Sequence, residues 1–206
     1  MDEILKYFPD LSDLQRSQFE ILGAEYPEWN SKINVISRKD IDHLYVHHIL
    51  HSLAIAKFLT PVAGTAFLDL GTGGGFPGIP LAVLWPQCRF HLIDRIGKKV
   101  KVAQAVAEAA GLQNVTFQHG DIGECHDKFD YVVSRAVMPL PDLVRLAQRN
   151  ISPRGVNRLH NGLLCLKGGD LAEETAPVKH PVIEVPLSDF FSEDYFATKT
   201  LVYVAI

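Results

Sequence analysis

One stretch constrains this chain more than any other. The apolar run Ala66–Leu70 leads straight into Gly71, Gly73, Gly74, Gly75 and Gly78. Glycines just beyond a strand let the backbone take left-handed angles, approach a ligand closely and turn into a helix. A helix follows from about Ile79, so the stretch reads as the first strand–turn–helix unit of a doubly wound sheet. The downstream pattern agrees. Apolar segments Arg89–Asp94, Val115–His119, Phe129–Ser134, Leu163–Lys167, Val182–Pro186 and Thr200–Ala205 alternate with helical segments Lys98–Ala110 and Pro141–Asn150. The expectation is an α/β fold with a seven-stranded, mostly parallel sheet covered on both faces. The last strand is expected to be antiparallel, because no crossover helix precedes it. Residues 1–63 read as a helical extension and 64–206 as the sheet domain. Ser12 and Gln15 fit a capping box ahead of one helix, and Ser37 and Asp40 ahead of a second over Ile41–Ala56.

Composition bounds the function classes. The formal charge is −4 over 206 residues, which excludes a strongly basic nucleic-acid binder but not a local basic patch. The charge is uneven: residues 135–169 sum to +5, residues 1–63 to −3 and residues 170–206 to −5. Three widely spaced cysteines, Cys88, Cys125 and Cys165, form neither a disulfide framework nor a zinc motif and suit a reducing compartment. Met1–Asp10 carries acids where a secretory leader needs bases, and no apolar run reaches membrane-spanning length. A cytoplasmic protein, without membrane association and monomeric, is expected.

The glycine loop admits two frames. Gly73, Gly75 and Gly78 satisfy the G-x-G-x-x-G of dinucleotide sites, though the first glycine then lies three residues past the strand. The other frame, Asp69-x-Gly71-x-Gly73-x-Gly75, resembles that of S-adenosylmethionine-dependent methyltransferases, whose ligand carries a cationic amino-acid tail suited to a nearby carboxylate. Asp94 ends the second strand, where an acid can accept both hydrogen bonds of a ribose diol. The loop after the third strand offers Asp121 to an exocyclic amine, Ile122 to a purine face, and Gly123.

Arg135 follows the fourth strand and falls at the crevice where doubly wound sheets place their chemistry. The Asn/Asp-Pro-Pro-aromatic tetrapeptide of many amino-methylating enzymes is absent. No Pro-Cys dipeptide supplies the nucleophile of pyrimidine C5 methylation. What remains favours an acceptor that is already nucleophilic, such as guanine N7. Catalysis would then be orientation of that lone pair, with Arg135 fixing the cofactor, a guanine O6 or a phosphate.

Taken together, the motifs resemble the bacterial GidB/RsmG family of 16S rRNA guanine-N7 methyltransferases. The likeness rests on Trp29-Asn30-x-x-Ile33-Asn34, His48-Ile49-Leu50-His51-Ser52-Leu53, the glycine loop with its Phe76-Pro77-Gly78-Ile79-Pro80 extension, Asp94 with Lys98-Lys99, Val133-Ser134-Arg135-Ala136, and Leu166-Lys167-Gly168. It implies a Rossmann-like class I methyltransferase with S-adenosyl-L-methionine as cofactor. Cofactor contacts are expected at Asp69, Gly71, Gly73, Phe76, Asp94, Asp121, Ile122, Gly123 and Arg135, with Arg135 also catalytic. The substrate is expected to be a guanine in the decoding-region loop of 16S rRNA, in the small ribosomal subunit or an assembly intermediate. The family motif has Asp where this chain has His51, and often Glu where it has Gly123. Arg145, Arg149 and Lys167 are the expected RNA contacts; Arg145 and Arg149 share a helical face, and Arg154 and Arg158 extend the basic segment. His43, His47, His48 and His51 recur at helical spacing, but no acid or cysteine joins them in a metal motif, so they read as an exposed helix face or an RNA contact and no metal is expected. Two other readings stay open at this point: a nucleotide-dependent oxidoreductase, and a non-catalytic ribosome-binding module of the same fold.

Overall fold

The computed structural model describes residues 1–135 and 138–206. Ala136, from the Ser134-Arg135-Ala136 motif, lies outside the described residues. Two helices open the chain, α1 (Asp2–Leu5) and α2 (Asp13–Lys32). The expected capping box at the head of α2 is present: the Gln15 amide donates to Ser12 Oγ and the Ser12 amide to Gln15 Oε1. Then follow β1 (Ala66–Leu70), α3 (Gly78–Leu84), β2 (Arg89–Asp94), α4 (Gly97–Ala109), β3 (Val115–His119), β4 (Tyr131–Arg135), α5 (Leu140–Ala147), β5 (Gly162–Gly168), β6 (Val182–Pro186) and β7 (Lys199–Ala205). The seven strands lie in the order β3-β2-β1-β4-β5-β7-β6. β1 to β5 pair in parallel, and β7 runs antiparallel to both β5 and β6. This is the expected seven-stranded, mostly parallel sheet. Phe129, expected in the fourth strand, makes only a bridge to Ile151.

Successive strand residues face opposite sides of a sheet, and each face feeds a separate core. Phe67, Tyr131, Leu164 and Tyr203 face α2, α3 and α4, while Leu68, Val132, Leu163 and Val204 face α5. The first core also takes in Ile4, Phe19, Leu22, Tyr26, Ile49 and Leu53. Residues 1–63 therefore pack into the same apolar interior as the sheet, with no break in the core at the expected boundary.

The second expected helix is corrected. Residues Ile41–His43 form a 3₁₀ turn and Leu44–Leu50 a π-helical segment, followed by short α-helical turns at His51–Leu53 and Ile55–Phe58. The cause is Asp40. Its carboxylate does not cap the helix; it binds the rings of His47 and His48 at 2.5 and 2.6 Å. Wider π winding is a recurrent way of re-aiming side chains at functional sites.

Candidate active site

The strand order reverses at β1, which pairs with β2 on one side and β4 on the other. Such a switch point leaves a crevice beyond the carboxyl ends of the strands. A cavity of about 540 Å³ occupies it. Gly71–Gly74 and Phe76 form its floor, Asp94–Ile96 and Lys99 one wall, Gly120 and Ile122 another, and Arg135 and Met138 the far end.

The glycine loop is held by groups that need its bare backbone. Gly71, Gly73 and Gly75 have φ of 71°, 57° and 108°, a region that L side chains seldom adopt. The amides of Gly71 and Thr72 donate to the Ile93 carbonyl. The Gly73 amide donates to Asp94 Oδ2 at 2.8 Å, and the Ile96 amide to Asp94 Oδ1 at 2.8 Å. Beneath the loop, fully buried Asp69 accepts from Thr72 Oγ1 at 2.6 Å and from the Gly78 amide at 2.8 Å, both through Oδ2. Its Oδ1 is buried and without a partner among the described residues. Burial pushes the Asp69 carboxyl up to about 7, against the opposing pull of Thr72, Gly78 and Arg135. From α2, the Tyr26 hydroxyl donates to the Gly74 carbonyl at 2.9 Å and the ring stacks on Phe76 at 4.6 Å.

Arg135 closes the far end. Its guanidinium sits 4.9 Å from the centre of the Phe76 ring. Nη1 donates to the His47 carbonyl at 3.3 Å and Nη2 to His48 Nδ1 at 3.0 Å. These use two of its five N–H donors. Asp40 lies behind His48; burial works to raise its pKa, but the hydrogen bonds from His47 and His48 prevail and lower it.

The structure brings Gly71, Gly73, Phe76, Asp94, Ile122 and Arg135 onto one cavity, with Asp69 directly under its floor. It does not bring Asp121 or Gly123 there. The Asp121 carboxylate accepts from the Gly123 amide, capping the turn Ile122–Glu124, and pairs with Arg95. In the structure the Asp121 carboxylate is thus engaged in a local cap and an ion pair at the cavity's margin. The amide of Gly123 is consumed by the same bond.

The expected RNA contacts disperse. Lys167 is buried, and its ammonium binds Glu174 at 2.6 Å and the Met138 carbonyl at 2.9 Å, so it presents no free charge to a phosphate. Arg145 is exposed but paired with Asp142 at 2.8 Å. Arg149 lies at the opposite edge of the sheet: α5 runs back from the end of β4, and the next residue, Asn150, accepts from the amide of Phe129, ahead of β4. Arg154 and Arg158 flank that same lower edge, where Asn157 holds Val62 and Thr65 at the start of β1. A charge summed along the sequence does not survive a chain that reverses direction between strands. The histidine stripe is corrected too. His48 and His51 are buried, and the described residues contain no group of three or more His, Cys, Asp or Glu side chains arranged to hold a metal.

Several contributors gave little sequence signal. Tyr26 and Val35 reach the loop from residues 1–63, and Asp40 looked like a helix cap. Lys99 was visible only within the Lys98-Lys99 motif. Met138 follows the recognisable Arg135 but carries no chemistry of its own.

The cavity suits S-adenosylmethionine in size and chemistry. Small-molecule sites run to roughly 300–1,000 Å³ with a few placed polar groups in apolar walls. Asp94 retains acceptor capacity for a diol, Ile96 and Ile122 offer apolar surface to a purine, and Arg135 has N–H donors to spare. Asp69, whose Oδ1 has no partner among the described residues, supplies negative charge below the loop when ionised.

Comparisons with known proteins agree with this geometry. The family model described as rRNA small subunit methyltransferase G, GidB, matches residues 15–183. The ribosomal RNA small subunit methyltransferase G of Bacteroides thetaiotaomicron is 58% identical over 206 residues, covering 100% of both chains. That of Porphyromonas gingivalis is 55% identical over 204 residues, 98% of this chain and 92% of the other. Among solved structures, a SAM-dependent methyltransferase from Aquifex aeolicus superposes with a TM-score of 0.56 at 16% identity, covering 82% of this chain and 98% of that one. Aeropyrum pernix fibrillarin with natively bound S-adenosyl-L-methionine gives 0.53 at 15% identity, over 76% and 74% of the two chains. These two share the fold. On the family match and the full-length relatives, with the switch-point cavity they explain, the chain belongs to the rRNA small subunit methyltransferase G (GidB) family.

Proposed function

We propose that this chain is an S-adenosylmethionine-dependent methyltransferase of small-subunit ribosomal RNA that acts on N7 of a guanine in the decoding-region loop of 16S rRNA. The carrying observation is the chemistry of the cavity's far end. It presents a guanidinium, and no thiol lines the cavity among the described residues. All three cysteines are buried, and burial pushes the thiols of Cys88 and Cys165 up to about 11 and about 12. A covalent route through a thiolate therefore has no nucleophile there. Guanine N7 needs neither that route nor a general base, because its lone pair is already free.

The cofactor supplies an electrophilic methyl group on a sulfonium when bound. The residues of the chain do the rest by holding and orienting. Asp94 stands where a ribose diol is recognised. Gly71–Gly74, with no side chains except that of Thr72, let the ligand lie against the main chain. Arg135 presents N–H donors to an oxygen of the acceptor, guanine O6 or a phosphate, which fixes N7 in line. The proposed substrate is 16S rRNA in the small subunit or an assembly intermediate, met by a monomer in the cytoplasm without a metal. Among the described residues no helix is long and apolar enough to cross a membrane.

The test is incubation with labelled cofactor and small subunits from a strain that lacks the modification. N7-methylguanine in the digested 16S rRNA is the expected product. Label elsewhere, or none while S-adenosylhomocysteine still binds, overturns the assignment, the latter in favour of a non-catalytic ribosome-binding module. Binding of NADH but not of S-adenosylhomocysteine would favour an oxidoreductase.

A further inference from the structure

Arg135 is enclosed at the end of the cavity, yet no carboxylate lies within 4 Å of it among the described residues. Its direct partners are a main-chain carbonyl and an imidazole. A guanidinium has only donors to offer. His48 Nδ1, 3.0 Å from Nη2, must therefore be the acceptor and carry no proton. The ring is neutral and its single proton sits on Nε2, aimed at Asp40 Oδ2 at 2.6 Å. The other Asp40 oxygen takes His47 Nδ1 at 2.5 Å. The His47 carbonyl, turned inward by the π-helical segment, accepts from Nη1 of Arg135 and from the Tyr195 hydroxyl.

We propose that Asp40 is a positioning residue which, by fixing the Nε2–H tautomer of His48, holds the Arg135 guanidinium at the acceptor end of the cavity. The word acceptor rests on the methyltransferase reading; the tautomer does not. The arrangement has a physical logic. A carboxylate touching Arg135 directly would spend its charge on an ion pair. A neutral ring placed between them orients the guanidinium and leaves its charge facing the cavity. Without Asp40 the ring can carry its proton on Nδ1, and N–H then faces N–H. His48 is 8% exposed and packed beside Phe76 at 5.4 Å. Burial, and then Arg135, push its pKa down to about 4, so no imidazolium forms at neutral pH.

Two measurements on the full chain test this. In ¹⁵N-labelled wild-type protein at pH 7, long-range ¹⁵N–¹H correlations of the His48 ring should show a protonated Nε2 and a bare Nδ1. An Nδ1–H tautomer or an imidazolium overturns the proposal, and this measurement needs neither substrate nor variant. The second is a double-mutant cycle on small-subunit methylation. Asp40→Asn should lower kcat about tenfold or more, the scale of one charge-assisted hydrogen bond, with the dissociation constant of S-adenosylhomocysteine within threefold of wild type. His48→Asn, whose amide oxygen falls where Nδ1 stood, should retain at least tenfold more activity than His48→Leu. In the His48→Asn background, Asp40→Asn should cost less than twofold, because the relay is already gone. An equal cost in both backgrounds would mean that Asp40 acts on the fold and not through His48, and would overturn the proposal. If wild type makes no N7-methylguanine, the tautomer measurement still stands alone, so the two failures are distinguishable.

Discussion

Asp69 should make cofactor binding a proton-linked event. Its carboxyl is buried beneath the glycine loop, one oxygen bonded to Thr72 and Gly78 and the other without a partner among the described residues, and burial lifts it from 3.8 to about 7. At pH 6 roughly nine-tenths of the ligand-free protein carries a protonated Asp69, and at pH 8 roughly one-tenth. S-adenosylhomocysteine brings an ammonium group. A unit positive charge within about 7 Å, at an effective dielectric near 20, is worth about 2.4 kcal/mol, or about 1.7 pKa units. That would bring Asp69 to roughly 5.3 in the complex and make affinity about eightfold tighter at pH 8 than at pH 6. Binding at pH 7 should release about half a proton. Isothermal titration at both pH values, each in two buffers of different ionisation enthalpy, reads both quantities. Asp69→Asn should flatten the dependence. Affinity in the wild type that is flat or falls between pH 6 and 8, or an Asp69→Asn protein that keeps the eightfold rise, refutes the reasoning. The stability of the ligand-free protein has the opposite sign. The folded pKa lies above the unfolded one, so the Asp69 contribution is fully present below about pH 4 and is lost as pH rises through 7, by up to roughly 1.4 kcal/mol per unit.

Three further outcomes are expected. Tyr26→Phe leaves the buried Gly74 carbonyl without its donor, so thermal unfolding should show a loss of about 1–3 kcal/mol, with weaker S-adenosylhomocysteine binding by titration. Gly78→Ala would put a Cβ 2.7 Å from Asp69 Oδ2 and 2.8 Å from Leu92 Cδ1; the loop must shift, and titration should show binding weakened more than about tenfold, the scale of 1–3 kcal/mol of overpacking. Lys167→Met strands a partly exposed Glu174, whose pKa is lowered first by its bond from Lys167. Chemical denaturation should show a loss of about 1–2 kcal/mol, discounted for that exposure, with the KM for small subunits unchanged; a raised KM at unchanged stability would restore Lys167 as an RNA contact.

What the sequence made legible was local. Strands announced themselves by apolar runs bounded by turn residues, and the glycine loop by spacing that only a close backbone approach requires, so the sheet and most of the cavity floor were readable. Other features were not, because each depends on which groups the folded chain brings together and not on spacing along it. Asp40 had the spacing of a helix cap, yet its carboxylate is taken by His47 and His48 inside the turn it was expected to start. Lys167 read as a surface base because its neutraliser, Glu174, comes from the helical turn beyond β5. Arg149 and Arg154 read as neighbours of Arg135 because summing charge along the sequence ignores that α5 carries the chain back to the other edge. The buried pair His48 and His51 differs from a surface stripe only in what covers it, and Phe76, Tyr195 and Phe196 supply that cover from distant segments.

The position of β7 sets an order of construction. It is synthesised after β6, yet it is inserted between β5 and β6. Until Lys199–Ala205 has left the ribosome, β5 has an open edge along Leu163–Leu166, and β6 has no neighbour at all. Lys6 and Tyr7 likewise find their partners Ser192 and Glu193 only near the other end of the described sequence. A nascent chain halted short of β7 therefore displays an unpaired apolar strand of the kind that recruits chaperones or aggregates, and pairing with β7 covers it.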